Sequence, residues 1–328
     1  SKDYDVIDLV SLSPDYLPRT NYVPAVPTDE YFRRMTKSRW DPTKSHGDSY
    51  RLAMRRMISL SGERSLTTAV VPPNMLHIDG TMSVATRKID DLLNLSALTF
   101  SLVYDFLIKA SNTSDLYSST FSRLPYAELC KEARLRVLLL TCLTSHYESL
   151  WQSAVADGDR PNWSQLNFPT KEISSNPLES NWSWSSSLRT ELSRRLALLE
   201  LDVLVGRAVG LSIDQLVDVY RTYFPILQEN EAGTWYDQSG RIVWTCSKGL
   251  SGVGCLNEKG KSPGRREWES ILESNPAELV CAAIDDTRPD GPHAVERRFI
   301  GPFFKCDRVE DYKRAWAHFE TLEQEGAA

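Results

Sequence analysis

The apolar positions along the chain change period several times, and each change predicts an element. "YDVIDLV", residues 4–10, alternates like a strand, and the four prolines of "PDYLPRTNYVPAVP" then forbid regular structure. "TDEYFRRM" reads as a short helix opened by Thr28. "SLTTAVV" is a β-branched strand closed by Pro72 and Pro73. Between them, with Asp48 as N-cap, the residues Tyr50, Ala53, Met54, Met57 and Ile58 recur at helical spacing, which predicts a helix with Arg51 and Arg55 together on its flank.

Farther on, "DDLLNLSALTFSLVYDFLIKAS" predicts one long, mostly apolar helix. "YAELCKEARLRVLLLTCLTSHYESLWQSA" predicts helix with a break near Thr144 and Ser145. A loop rich in Trp, Ser and Asn, residues 157–187, leads to "LRTELSRRLALLELDVLVGRAVG", a helix ending at a C′ glycine, Gly210. Ser212 with Gln215 is a capping-box signature for "IDQLVDVYRTY". From Phe224 the pattern turns to short strands, "GRIVWTC", "AELVCAAID" and "RRFIGPFFKCD", closed by a helix behind Asp307 and Glu310. No internal repeat is present. The predicted class is α+β: a mixed α/β domain over 1–125, a helical strut over 126–223 and a smaller α+β subdomain over 224–328.

Charge changes this picture. The formal net charge is -6 over 328 residues, and Lys+Arg against Asp+Glu stands at 15 to 14 in residues 1–125 but 23 to 30 in residues 126–328. Within residues 31–64 the balance reverses, with nine basic residues (Arg33, Arg34, Lys37, Arg39, Lys44, Arg51, Arg55, Arg56, Arg64) against Asp41, Asp48 and Glu63. Clustered charges most often simply face water. An arginine-rich block also suits phosphate oxygens and guanine edges, because the guanidinium fork donates bidentately. His46 lies inside the block and joins the candidate residues.

Other chemistry is sparse. "GVGCLNEKGKS" places five residues between Gly254 and Gly260 where a phosphate-binding loop needs four, and Pro263 and Gly264 follow where its helix should begin. No serine elbow, zinc-protease motif or dinucleotide loop occurs, and the Asp311/Lys313 pair lacks the strand acid a nuclease would need. His77, His146, His293 and His318 are isolated. The six cysteines form no CxxC pair and read as reduced structural thiols; a zinc site joining Cys246 and Cys255 to a histidine stays open, at a spacing that fits no standard finger. No catalytic, cofactor-binding or metal-binding residue is assigned. No uninterrupted run of eighteen apolar residues occurs, so no membrane partner is expected. The opening "SKDYDVIDLV" lacks an initiator methionine and a signal-peptide core, which predicts a piece of a longer cytoplasmic protein.

Three ordered segments carry a resemblance. "YRLAMRRMISLSGERSLTTAVVPP" resembles the start of the target-recognition region in large adenine-N6 DNA methyltransferases of restriction-modification and phage-defence systems, the Eco57I-like and phage-growth-limitation (BREX) types. There the segment carries a "TNERT" turn, occupied here by Gly62, Glu63, Arg64 and Ser65, and an "LIAAIIPP"-like strand. "LLNLSALTFSLVYDFLIKASNTSDLYSSTFSRLP" and "ELDVLVGRAVGLSIDQLVDVYRTYFPIL" are similar to later segments of the same regions. The resemblance implies a DNA-reading module without catalysis of its own, with S-adenosylmethionine bound by a methyltransferase domain upstream. It implies double-stranded DNA as partner, that upstream domain as a second, and other defence subunits as further ones. Two readings of other classes stand beside it: a protein-docking module of a defence complex, and a metal-dependent nuclease fragment.

Overall fold

The computed structural model describes residues 7–18, 22–166, 168–250, 252–285 and 292–326. In chain order the helices are α1 (Thr28–Arg34), α2 (Ile89–Phe100), α3 (Leu102–Ala110), α4 (Ser118–Phe121), α5 (Lys131–Thr141), α6 (Glu148–Ala154), α7 (Glu191–Ala208), α8 (Ile213–Tyr223), α9 (Pro225–Ala232), α10 (Arg265–Ser274) and α11 (Arg308–Gln324). The strands are β1 (Arg51–Arg55), β2 (Thr68–Val71), β3 (Thr81–Ala85), β4 (Trp235–Tyr236), β5 (Ile242–Trp244), β6 (Glu278–Asp285) and β7 (His293–Ile300). All the pairings are antiparallel, in sheets ordered β2-β1-β3, β4-β5 and β6-β7, so the fold is α+β.

The helix expected from Tyr50 onward is the central strand β1. Leu52 and Met54 are fully buried while Arg51, Ala53 and Arg55 turn to the other face, a period of two that the helical spacing of Tyr50, Ala53, Met54, Met57 and Ile58 concealed. Neighbours on both sides decide the matter, since Leu52 sits between Val70 and Val84, and β2 and β3 supply a ladder that an isolated helix could not outbid. The strand expected over 4–10 is only partly within the described residues, beginning at Ile7. The described part is a turn, in which Asp8 accepts from Val10 N at 3.0 Å and from Ser11 N at 3.2 Å.

The long apolar helix is two helices, α2 and α3, bent by 66° at Ser101. The Ser101 hydroxyl caps α3 by accepting from Tyr104 N at 3.3 Å, and Asp202 reaches in to accept from Leu102 N at 2.6 Å. Two acceptors for the orphan amides of a new helix make the break favourable. α2 covers the inner face of the β1 sheet.

α5 stops at Thr141, three residues before Thr144, where the break was expected. The carbonyls released at its end are taken by side chains from the Trp- and Ser-rich loop and α7: Trp182 Nε1 donates to Cys142 O at 2.7 Å, Arg189 Nη2 to Leu143 O at 2.8 Å, and Arg194 Nη1 to Leu140 O at 2.9 Å. α7 is buried along most of its length and packs on α2, α5, α8 and α11. It ends at Gly210, whose φ of +81° is the left-handed turn the glycine predicts. The Ser212/Gln215 box caps α8, with Ser212 N to Gln215 Oε1 at 2.8 Å and Gln215 N to Ser212 Oγ at 3.2 Å. α9 and α10 fall where only strands were expected; α9 starts on Pro225, which fits a first helical turn because it has no amide to leave unpaired.

α7 carries buried charge as well as leucines. Arg136 is fully enclosed between Glu200 (2.5 Å) and Glu132 (2.7 Å). From residues of α7 on either side of Glu200 a second network forms: Glu231 from α9 holds both Arg195 (3.0 Å) and Arg308 (2.8 Å), while Arg195 also meets Asp311 at 2.8 Å and Arg308 meets Asp202 at 3.1 Å. The guanidiniums of Arg308 and Arg195 outweigh the upward push of burial and hold the Glu231 carboxyl down at about 2. One apolar cluster draws Leu52, Leu98, Leu138, Leu199 and Phe319 together, so α11 closes on the core that β1 begins. A second, smaller cluster stacks Trp244 on Trp268 at 5.8 Å beside Phe299. Gly254 (φ +85°) closes it, because a side chain there would lie 2.5 Å from Val243 O.

Candidate nucleic-acid interface

The structure divides the ten basic-block candidates by what their side chains already hold. Arg51 is buried on β1: its guanidinium donates to Met75 O, and to Ser83 Oγ at 3.3 Å, and burial lowers its pKa. Arg64 lies 2.5 Å from the fully buried Asp105 and donates to the carbonyls of Phe100 and Ser101 at 2.9 and 3.2 Å. Both serve as internal braces, Arg51 buried and Arg64 about a quarter exposed, so the groups inside the fold already claim most of the donors that the sequence offered to phosphates. Arg56 is paired with Asp79 and lies over the Tyr117 ring at 5.1 Å; the bond to Asp79 raises its pKa. Arg33 and Arg34 are exposed on α1, both sharing Glu30.

The remaining cations are held less tightly, Lys44 lying only near enough to Asp41 to help lower that carboxylate's pKa. Lys37, Arg39, Lys44 and Arg55 are exposed and have no ion-pair partner among the described residues. His46 is half-buried in a short 3-10 turn over His46–Asp48. Three of the four free cations sit on one tight loop. Lys37 pairs with Ser45 across an antiparallel bridge, Ser38 N donates to Lys44 O at 2.9 Å, and Asp41 turns the tip by accepting from Thr43 N at 3.1 Å. Trp40, at that tip, is 40% exposed. The sequence signal for it was present, an aromatic between Arg39 and Asp41, but the charge count alone passed over it.

The loop adjoins a sheet face. Asn74 N donates to Gly47 O at 2.8 Å, and the neighbouring Met75 carbonyl is the one held by Arg51, so the end of the basic segment is tied to the Arg51 end of β1. The outer face of the sheet carries Ala53 and Arg55 on β1, Ala69 on β2, and Thr81, Ser83 and Ala85 on β3, in register. None of these six is buried. Arg55 stands at the opposite end of β1 from Arg51, about 13 Å away at strand rise. His77 joins the face by hydrogen-bonding Ser83 Oγ at 2.8 Å. A surface of small side chains between cations lets a polyanion approach the backbone closely, which bulky residues would prevent.

No set of three or more His, Cys, Asp or Glu among the described residues is arranged to hold a metal. Cys255 is buried in the second cluster, where burial pushes its thiol to about 12, and the six cysteines are unpaired. Asp311, the acid of the Asp311/Lys313 pair, is occupied by Arg195 and accepts from Gln165 Nε2 at 3.0 Å, while Lys313 pairs with Glu310. His146 and His318 bond the carbonyls of Asp15 (3.3 Å) and Asn162 (3.1 Å). No helix is long and apolar enough by itself to cross a membrane among the described residues. Comparison with protein-family models, curated proteins and solved structures finds no match to this chain.

Proposed function

We propose that this chain is a sequence-reading module for double-stranded DNA, belonging to a larger adenine-N6 methyltransferase of a bacterial defence system and without catalysis of its own. The observation that carries the reading is the loop bearing Lys37, Arg39 and Lys44 around exposed Trp40, with three cations to the one carboxylate of Asp41 and joined to an open sheet face that ends in Arg55. The free cations supply affinity by replacing counterions along the phosphates, and the small-residue face and Trp40 approach the grooves. Base-edge contacts of about 1–3 kcal/mol each then set the sequence. S-adenosylmethionine belongs to the upstream domain, which receives the flipped adenine while this module holds the flanking duplex.

A protein-docking role has its own observation in its favour. The β6-β7 ribbon exposes Val280, Ile284 and Ile300 by 43 to 51%, a set of apolar side chains suited to another subunit. Fluorescence anisotropy of the full chain with random-sequence duplexes, from low to physiological salt and with bound duplexes sequenced, separates the two. Saturable binding with a negative log-log salt slope and an enriched motif supports DNA reading; no binding at low salt rejects it for this chain.

A further inference from the structure

A cavity of about 350 Å³ opens on the opposite side of β2 from β1, between that strand and helices α2, α5 and α7. Its floor is apolar, formed by Leu66, Phe100 and Leu198 among others, while two guanidiniums, those of Arg64 and Arg194, line it. Their situations differ. Arg64 is neutralised by Asp105. Arg194 spends only its Nη1, on the carbonyls of Leu140 (2.9 Å) and Leu188 (3.0 Å), and among the described residues it has no carboxylate partner. Burial lowers its pKa to about 10, against a weaker opposing pull from Glu172 and Glu191, so the surroundings offset only part of the cost of burying the charge.

β2 supplies further donors. Arg55 N bonds to Thr67 O at 3.0 Å, so by antiparallel alternation Thr67, Ala69 and Val71 address β1 while Thr68 and Val70 turn their backbone groups to the free edge. Tyr147 takes the Val70 carbonyl at 2.9 Å, and the amides of that edge face the cavity side. A cation that no carboxylate among the described residues pairs with directly, edge amides and an apolar floor together describe an anion with a hydrocarbon body. The volume is within the ordinary range of small-molecule sites.

We propose that this cavity binds a small organic acid, its carboxylate on Arg194 and its apolar body over Leu66, Phe100 and Leu198. The site shares only Ala69 with the proposed DNA-facing sheet face, and its test does not depend on DNA binding. Isothermal titration of the full chain with octanoate, octanol and inorganic phosphate tests the assignment. Octanoate is expected to bind one to one, with octanol and phosphate each weaker by at least about tenfold, the least that losing a charge-assisted bond or the buried tail would cost. Arg194→Met should weaken octanoate by a similar factor and leave octanol unchanged. Leu198→Trp should block octanoate by filling the floor, with the far-ultraviolet circular dichroism of the parent. Absence of octanoate binding, equal binding of octanol or phosphate, or undiminished octanoate binding in Arg194→Met overturns the proposal. Should the methionine variant fail to fold, full binding by Leu198→Trp overturns it instead.

Discussion

Arg64 Nε meets Asp105 Oδ2 at 2.5 Å, joining the turn before β2 to the interior of α3. The same carboxylate accepts from Ser65 N at 3.0 Å and Leu66 N at 3.3 Å, so one buried acid fixes the whole approach to the strand. Arg64→Ala leaves that acid without its cation. The expected loss is about 3–5 kcal/mol of stability, the range for breaking a buried pair from one side, read as a fall in the urea midpoint. A variant as stable as the parent would refute the bracing role.

The free cations separate from the buried ones in binding. Arg39→Ala, Lys44→Ala and Arg55→Ala should each weaken duplex binding and reduce the log-log salt slope by about one unit, without a change in melting temperature. Arg51→Ala should instead lower the melting temperature, because Ser83 and the Met75 carbonyl lose their donor. Anisotropy titrations at four salt concentrations, paired with melts, check both directions; an unchanged slope in all three exposed variants removes the loop and sheet face from the interface.

Trp40 makes a distinct demand. Exposed aromatic rings stack on bases for about 1–3 kcal/mol each where strands are open. Trp40→Ala should therefore cost at least about fivefold in affinity for a duplex with an unpaired base, and its intrinsic fluorescence should be quenched on binding in the parent. Equal affinities of parent and variant, with no quenching, would leave the ring as a packing residue.

The Glu231 clasp sets an acid limit. Its carboxyl titrates at about 2 in the fold against an ordinary value of 4.5. The lowered value means the unfolded chain takes up the proton first as pH falls. The clasp therefore contributes fully above about pH 4.5, and that contribution drains away toward pH 2. Glu231→Gln should lose on the order of 3 kcal/mol at pH 7 and show a shallower fall in stability between pH 4.5 and 2, measured by urea unfolding across that window. Parallel pH profiles for parent and variant would contradict the clasp.

Local chemistry was legible wherever it acted alone. The Ser212/Gln215 box, the Gly210 stop and the strand before Pro72 all depend on near neighbours in the chain, and each is found where the residues predict it. Tertiary partners hid the rest. β1 is a strand because β2 and β3 flank it, and the α2–α3 break depends on Asp202, a hundred residues from the amide it caps. The basic block was visible as composition, but not its division into braces and free cations. Arg64 and Arg55 are alike in sequence and differ only in whether an acid such as Asp105 waits inside.

The bend at Ser101 has a consequence beyond packing. Straight, the Ile89–Ala110 run would measure about 33 Å, close to the thickness of a bilayer's hydrocarbon layer. The 66° turn divides it into two pieces, neither of spanning length, with Asp105 buried in the second. Ser101 and Asp202 thus keep as two short core helices a segment whose length alone would match a bilayer, and the Asp105 carboxylate in the second of them serves the turn before β2 instead of meeting hydrocarbon.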